Sequence, residues 1–129
     1  MTKLSSGDKH TFIEDASIER LLDLAGQIMD MGGGFWVKIE AQRVPASAGK
    51  PAGIDYSLCL FSPENERLLG YDNAHPIRVG TGPGARRTVV HDHVHKAEAI
   101  KSYAYASAEA LLIDFWTGVE RILKQRGVP

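Results

Sequence analysis

The chain has 129 residues and a net charge of −1, and we expect a polar tail over residues 1–10 followed by a single domain over 11–129. Cys59 is the only cysteine, which excludes an intrachain disulfide and indicates a reducing compartment. The polar start and the absence of a long apolar run argue against secretion and against a membrane partner, so we expect a cytoplasmic protein.

The first predicted element is an amphipathic helix. Apolar residues recur at helical spacing from Ile18 to Met29, which is the pattern of a helix with one buried face. Gly32, Gly33 and Gly34 follow, and glycine readily adopts the left-handed conformation in which many helices end. We therefore expect this helix to stop at the three glycines.

Three strands are predicted next. Apolar and polar residues alternate over 35–42 and over 54–61, as in strands that bury one face. Residues 45–51 are rich in Ala, Ser, Gly and Pro and form the loop between these strands. A turn over 62–65 leads into a third strand around 67–71.

The fourth predicted strand carries three of the five histidines of the chain. Because side chains alternate along a strand, His91, His93 and His95 would share one face. Asp92 and Val94 would point to the other face. If Val94 faces the core, the imidazoles form a stripe that is presented to solvent, to a ligand or to a partner.

The last element is a helix, and it completes a prediction of fold class. Ser107 is suited to cap its N-terminus, and an apolar stripe runs from Leu112 to Leu123.

Consecutive strands without intervening helices favour antiparallel pairing, and two amphipathic helices need a sheet face on which to pack. We predict an α+β fold with a four-stranded, mainly antiparallel, twisted sheet and with N- and C-terminal helices packed on it.

The histidines lie in the most basic part of the chain. Residues 11–31 have a net charge of −4, whereas residues 76–101 have a net charge of +3 before any histidine is protonated. Such asymmetry suits a phosphate-binding patch, although an ordinary solvated surface is the simpler interpretation. The glycine-rich residues 80–85 precede a strand and not a helix, so we expect a hairpin loop there and not a phosphate-binding loop.

Four short motifs together resemble a known family. They are Leu-Gly-Tyr-Asp-Asn-Ala-His over 69–75, Asp-His-Val-His over 92–95, Tyr-Ala-Tyr over 103–105 and Leu-Leu-Ile-Asp-Phe-Trp over 111–116. Their order and spacing resemble the TumE-like toxins of bacterial toxin–antitoxin systems over about residues 35–123. The resemblance implies a toxin whose partner is an antitoxin, typically a small helix-turn-helix protein, and a kinship with toxins that cleave RNA. It brings no catalytic residues with it.

The residues themselves suggest how RNA would be cleaved without a metal. Such cleavage needs a base, an acid and a cation. We predict that His93 and His95 serve as base and acid, that Arg87 supplies positive charge, and that Asp92 orients an imidazole if a bulge redirects it. His91 falls just outside the family pattern and is weighted below the other two. The predicted substrate-binding residues are Arg78, Arg86, Lys96, Tyr71, Asp72, Asn73 and His75.

Two other interpretations remain open. In a metal-binding hydrolase, His93 and His95 would hold Zn or Fe with His75 or Asp72 as the third ligand, whereas the preferred interpretation needs no cofactor. In a non-catalytic module, the histidines would contact protein or nucleic acid. The sequence leaves the oligomeric state open, a homo-oligomer included.

Overall fold

The computed structural model describes residues 15–73, 78–79, 86–87, 92–96 and 99–129. The two helices of this part are α1 (Ile18–Leu24) and α2 (Ala108–Gln125). The strands are β1 (Ile28–Gly32), β2 (Phe35–Arg43), β3 (Ile54–Phe61), β4 (Arg67–Asp72), β5 (Arg78–Val79), β6 (Arg86–Arg87), β7 (His93–Lys96) and β8 (Ala99–Ser102). Neither described helix has both the length and the apolar character needed to span a membrane.

The main sheet has six strands in the order β1-β2-β3-β4-β7-β8, and every neighbouring pair is antiparallel. The α+β class and the antiparallel pairing are confirmed, but the prediction of four strands was wrong. The two strands that the sequence pattern did not reveal, β1 and β8, lie at the edges of the sheet. An edge strand pairs on one side only, and its weak burial leaves a weak pattern in the sequence. Strands β5 and β6 form a separate two-stranded ladder.

The first helix is shorter than predicted. It ends at Leu24, and the residues from Ile28 onward form β1 and pair with β2. Gly32, Gly33 and Gly34 all have positive φ and make the turn between these strands, so they do not cap the helix. The helical spacing misled because Ile28 is largely exposed in the structure and faces no core.

The helices cover one face of the sheet. That face contributes buried apolar residues from β2, β3, β4 and β7, among them Ile39, Leu58, Tyr71 and Val94. The ring of Tyr71 meets that of Phe115 of α2 edge-on, with centroids 6.2 Å apart. The opposite sheet face carries the alternate residues, which include His93 and His95, and we call it the polar face.

The N-termini of the two helices are fastened together. Ser107 Oγ accepts a hydrogen bond from the amide of Ala110 at 3.0 Å, which confirms the predicted cap. Asp15 Oδ2, before α1, accepts hydrogen bonds from the amide of Ala108 at 2.7 Å and from the hydroxyl of Tyr105 at 2.6 Å. These contacts fix the segment between β8 and α2.

Asn73 holds the end of β4 against β3. Its side-chain oxygen accepts a hydrogen bond from the amide of Tyr56, and its side-chain amide donates to the carbonyl of Ile54. The residue is buried, so both backbone groups depend on this side chain for their hydrogen bonds. Asn73 directly follows Asp72, so the same contact fixes the position at which the polar residues of the sheet end meet.

Replacing Asn73 should therefore destabilise the protein. In Asn73→Ala two buried backbone groups lose their partners, and we expect the free energy of unfolding to fall by roughly 1–3 kcal/mol per unsatisfied group. Denaturant unfolding followed by circular dichroism measures this loss. Unchanged stability would show that water satisfies these groups in solution.

Candidate functional site

The candidate site lies on the polar face where β4 pairs with β7, next to the edge strand β8. Asp72 stands directly opposite His93 in the antiparallel register, and Gly70 stands opposite His95. Residues that face each other in such a pair project from the same side of the sheet. The alternation of β7 and its pairing with β4 therefore bring one carboxylate and two imidazoles together, and we call Asp72, His93 and His95 the Asp–His–His cluster.

The three side chains of the cluster contact one another. His93 Nε2 lies 2.8 Å from Asp72 Oδ1, and His95 Nε2 lies 3.3 Å from Asp72 Oδ2. The imidazole rings meet edge-on, with centroids 4.6 Å apart. The exposed fractions are 4% for Asp72, 3% for His93 and 8% for His95. The sequence predicted an exposed stripe, whereas the structure buries both imidazoles beside the carboxylate.

One oxygen of the carboxylate has an unusual environment. Asp72 Oδ1 is fully shielded from solvent, and no described residue gives it a hydrogen bond of ordinary geometry. His93 Nε2 lies 2.8 Å from this oxygen, which places the imidazole in ion-pair distance of it. We interpret this contact as electrostatic proximity and not as an aligned hydrogen bond. A buried carboxylate oxygen normally has a partner, and this one is turned toward the imidazoles.

Arg67 reaches the cluster because β4 contains a bulge. Leu60 pairs with Leu69 and Phe61 pairs with Arg67, so Leu68 is an extra residue that shifts Arg67 onto the polar face. Gly70 leaves room for the arginine, since a Cβ there would lie 3.0 Å from Arg67 Cδ and 3.3 Å from Cys59 Sγ. The guanidinium of Arg67 therefore extends over the polar face between Cys59 and the two histidines of the cluster.

Burial and Arg67 also set the protonation of this face. Burial is the main cause that lowers the pKa of His95 from its usual value of 6.5, and the positive charge of Arg67 lowers this pKa further. His95 is therefore neutral at pH 7, the form that accepts a proton or binds a metal. Burial also raises the pKa of the Cys59 thiol, which remains protonated and unreactive.

Three predicted site residues have structural contacts elsewhere. Asp92 Oδ2 accepts a hydrogen bond from the hydroxyl of Tyr56 at 2.6 Å, so no bulge turns Asp92 toward the imidazoles. Tyr71 lies on the helix-covered face, with its ring 4.9 Å from that of Tyr103. The side chain of Asn73 is occupied by the backbone of β3. The structure does not bring these residues to the cluster.

The predicted arginines lie on a hairpin that the chain forms between Asp72 and His93. Arg78 pairs with Arg87, and the adjoining Val79 pairs with Arg86. The predicted loop over 80–85 lies outside the described residues, although the strands on either side pair as a hairpin requires. Lys96 is exposed at the end of β7, opposite Leu69 and therefore away from the polar face.

The remaining histidines, His75 and His91, lie outside the residues that the structure describes. Among the described residues, Asp72, His93 and His95 form a group whose ligand-type atoms all lie within 4.8 Å of one another. Sequence reasoning treated Asp72 chiefly as a substrate contact and missed Arg67 altogether. The pairing of β4 with β7 places Asp72 beside the histidines. No sequence pattern marked the bulge that places Arg67 there.

Comparison with protein families gives one match, the family described as toxin TumE, over residues 5–123. The match begins well before residue 35 and includes α1, so the N-terminal helix belongs to the family region that the sequence motifs had placed at 35–123. A search of curated proteins and a search of solved structures gave no match. Because the matched region covers nearly the whole chain, this chain belongs to the TumE toxin family.

Proposed function

We propose that this toxin cleaves RNA at the Asp–His–His cluster and that a small helix-turn-helix antitoxin restrains it. Family membership supports the assignment as the toxin component and the existence of an antitoxin. The observation that carries the proposal is the convergence of both imidazoles on Asp72 on the polar face. Buried titratable groups with specific partners are frequent at functional sites and rare elsewhere.

The reaction proposed is transfer of the phosphodiester to the neighbouring 2′-oxygen. A base takes the 2′-hydroxyl proton, the 2′-oxygen attacks phosphorus, and the bond from phosphorus to the 5′-oxygen breaks as that oxygen receives a proton. The products are a 2′,3′-cyclic phosphate and a 5′-hydroxyl. The neutral His95 is suited to accept a proton, and Arg67 supplies a cation for the charge that develops on the phosphoryl oxygens.

The geometry limits how the two histidines could act as base and acid. A base and an acid that act across a phosphate each need a ring nitrogen aimed at the substrate. In the cluster the Nε2 atoms of both rings face the same carboxylate. The proposal therefore concerns the cluster as a unit, with Asp72 as a member of the site in place of Asp92.

Growth arrest provides the first test. Inducing the toxin without its antitoxin should arrest a bacterial culture, and His93→Ala, His95→Ala or Asp72→Asn should each relieve the arrest. A lost acid–base group costs roughly 10²–10⁴-fold in rate, so a modest difference in expression cannot hide the effect. RNA from the arrested cells should carry new 2′,3′-cyclic phosphate ends, which end-specific ligation and sequencing detect.

The controls separate lost chemistry from lost folding. Each variant should keep a cooperative thermal transition and should still bind the antitoxin, because a buried histidine can abolish toxicity merely by unfolding the domain. His91→Ala should matter less, since His91 falls outside the family pattern. Full toxicity in a folded protein that carries both His93→Ala and His95→Ala would contradict the proposal.

Salt dependence tests the arginines. If Arg67 contacts a phosphate of single-stranded RNA, Arg67→Ala should reduce the slope of log binding constant against log salt by about 0.7. The double variant Arg86→Ala with Arg87→Ala should reduce the slope by about 1.4 if both residues of the hairpin bind phosphate. Arg43→Ala is the matched control, because Arg43 forms an ion pair with Glu19. A slope that equals the wild-type value removes the substituted arginine from the RNA interface.

A further inference from the structure

We infer that the Asp–His–His cluster is a binding site for one divalent transition-metal ion, with Asp72, His93 and His95 as its three protein ligands. One ligand-type atom from each residue lies within 4.8 Å of the other two. The preferred sequence interpretation assigned no cofactor, and its metal alternative named His75 or Asp72 as third ligand. Among the described residues, the group that converges contains Asp72.

The spacing of the cluster is compatible with a bound metal ion after a small adjustment of the side chains. Bonds of about 2.0–2.1 Å to a tetrahedral ion place two ligand atoms about 3.4 Å apart. His95 Nε2 and Asp72 Oδ2 are 3.3 Å apart. The contact of His93 Nε2 with Asp72 Oδ1 is shorter, at 2.8 Å, and would open slightly around an ion.

A second observation points independently to a ligand. Asp72 is 95% buried at its side chain, and its Oδ1 atom has no hydrogen bond of ordinary geometry from any residue in the described part of the chain. Leaving such an oxygen without a partner is costly. A cation bound between the carboxylate and the imidazoles would satisfy this oxygen.

The donor atoms select the class of ion. Two imidazoles and one carboxylate suit Zn²⁺ and related transition metals, whereas Mg²⁺ prefers oxygen ligands and bound water. Three protein ligands are also the usual number at catalytic zinc sites, where a further position is left for water or substrate.

Charge supplies a functional reason for the ion. Asp72 and Glu40 lie in one cross-strand row of the polar face, linked through Ser57, and carboxylates repel a phosphodiester. A divalent ion bound at the cluster adds two positive charges to this row and offsets the repulsion. The role of the ion in cleavage rests on the proposed function, whereas binding of the ion does not.

Binding is tested on the full chain without RNA. The protein is stripped with EDTA, dialysed and titrated calorimetrically with ZnCl₂, and we expect one Zn²⁺ per chain and no heat from MgCl₂. Asp72→Asn, His93→Ala and His95→Ala should each weaken Zn²⁺ binding by at least roughly 10²-fold, since even a partner of a ligand contributes roughly 10–100-fold. Asp23→Asn is the matched control and should bind as the wild type does, because Asp23 is exposed on α1.

Thermal melting supplies the readout for folded variants. Zn²⁺ should raise the melting temperature of the wild type, because a ligand that binds only the native state stabilises it. The three cluster variants should melt cooperatively without Zn²⁺ and should gain nothing from it. The inference would be overturned if the wild type did not bind Zn²⁺. It would also be overturned if a variant with all three cluster substitutions bound Zn²⁺ with unchanged affinity.

A cleavage assay keeps this inference distinct from the proposed function. Loss of RNA cleavage in stripped protein and its recovery with Zn²⁺ would support the metal site and RNA cleavage at the cluster, with His95 as a metal ligand in place of the base. Full cleavage by stripped protein in EDTA would overturn the role of the ion and leave the RNA-cleaving toxin standing. Zn²⁺ binding at the cluster with no cleavage of any RNA would keep the metal site and contradict the proposed function.

Discussion

The contact of one buried carboxylate with two imidazoles is the constraint on which this site depends. A charge removed from water is tolerated only with close partners, and Asp72 has His93 and His95 within 2.8 and 3.3 Å. This contact exists only in the observed register of β4 with β7. A slip of one residue would turn both histidines toward the helices and would bring Val94 to the polar face. The core therefore stabilises the register that forms the site, because Tyr71 and Val94 pair on the covered face and a slip would expose Val94.

The topology explains why basic residues accompany the cluster. The chain leaves the sheet after Asp72 and returns at His93, its partner in the register, and the segment between them includes the ladder of β5 and β6. Arg78, Arg86 and Arg87 are thus carried by a segment that is attached to the sheet at the cluster. Arg67 reaches the same place by another route, through the bulge in β4.

Much of the fold could be predicted from the sequence, because alternation along a half-buried strand is a strong signal. It correctly identified β2, β3 and β4, and it placed His93 and His95 opposite Val94. The edge strands β1 and β8 could not be identified in this way. Ile28 in β1 and Ile100 in β8 are apolar but exposed, so the apolar positions of these strands do not mark a buried face. The prediction of a helix through Met29 failed for the same reason.

The candidate site was only partly predictable. Residue type and spacing identified the two histidines, whereas Asp72 became their partner only through pairing between distant parts of the chain. The alternation rule would place Arg67 with Leu69 on the covered face, and the bulge reverses this placement. Asn73 and Tyr71 were reasonable candidates for substrate contacts. In the structure, Asn73 hydrogen-bonds to the backbone of β3 and Tyr71 packs against Phe115. Local sequence rules do not determine bulges or the partners of distant strands.

The most direct test of the central claim is ¹⁵N NMR of the imidazole nitrogens in the metal-free protein. The Asp72→Asn substitution removes the charge that faces both Nε2 atoms while it nearly preserves the shape of the side chain. The account predicts that the Nε2 resonances of His93 and His95 both shift in this variant. An unchanged resonance for either cluster histidine in a folded Asp72→Asn protein would contradict the account.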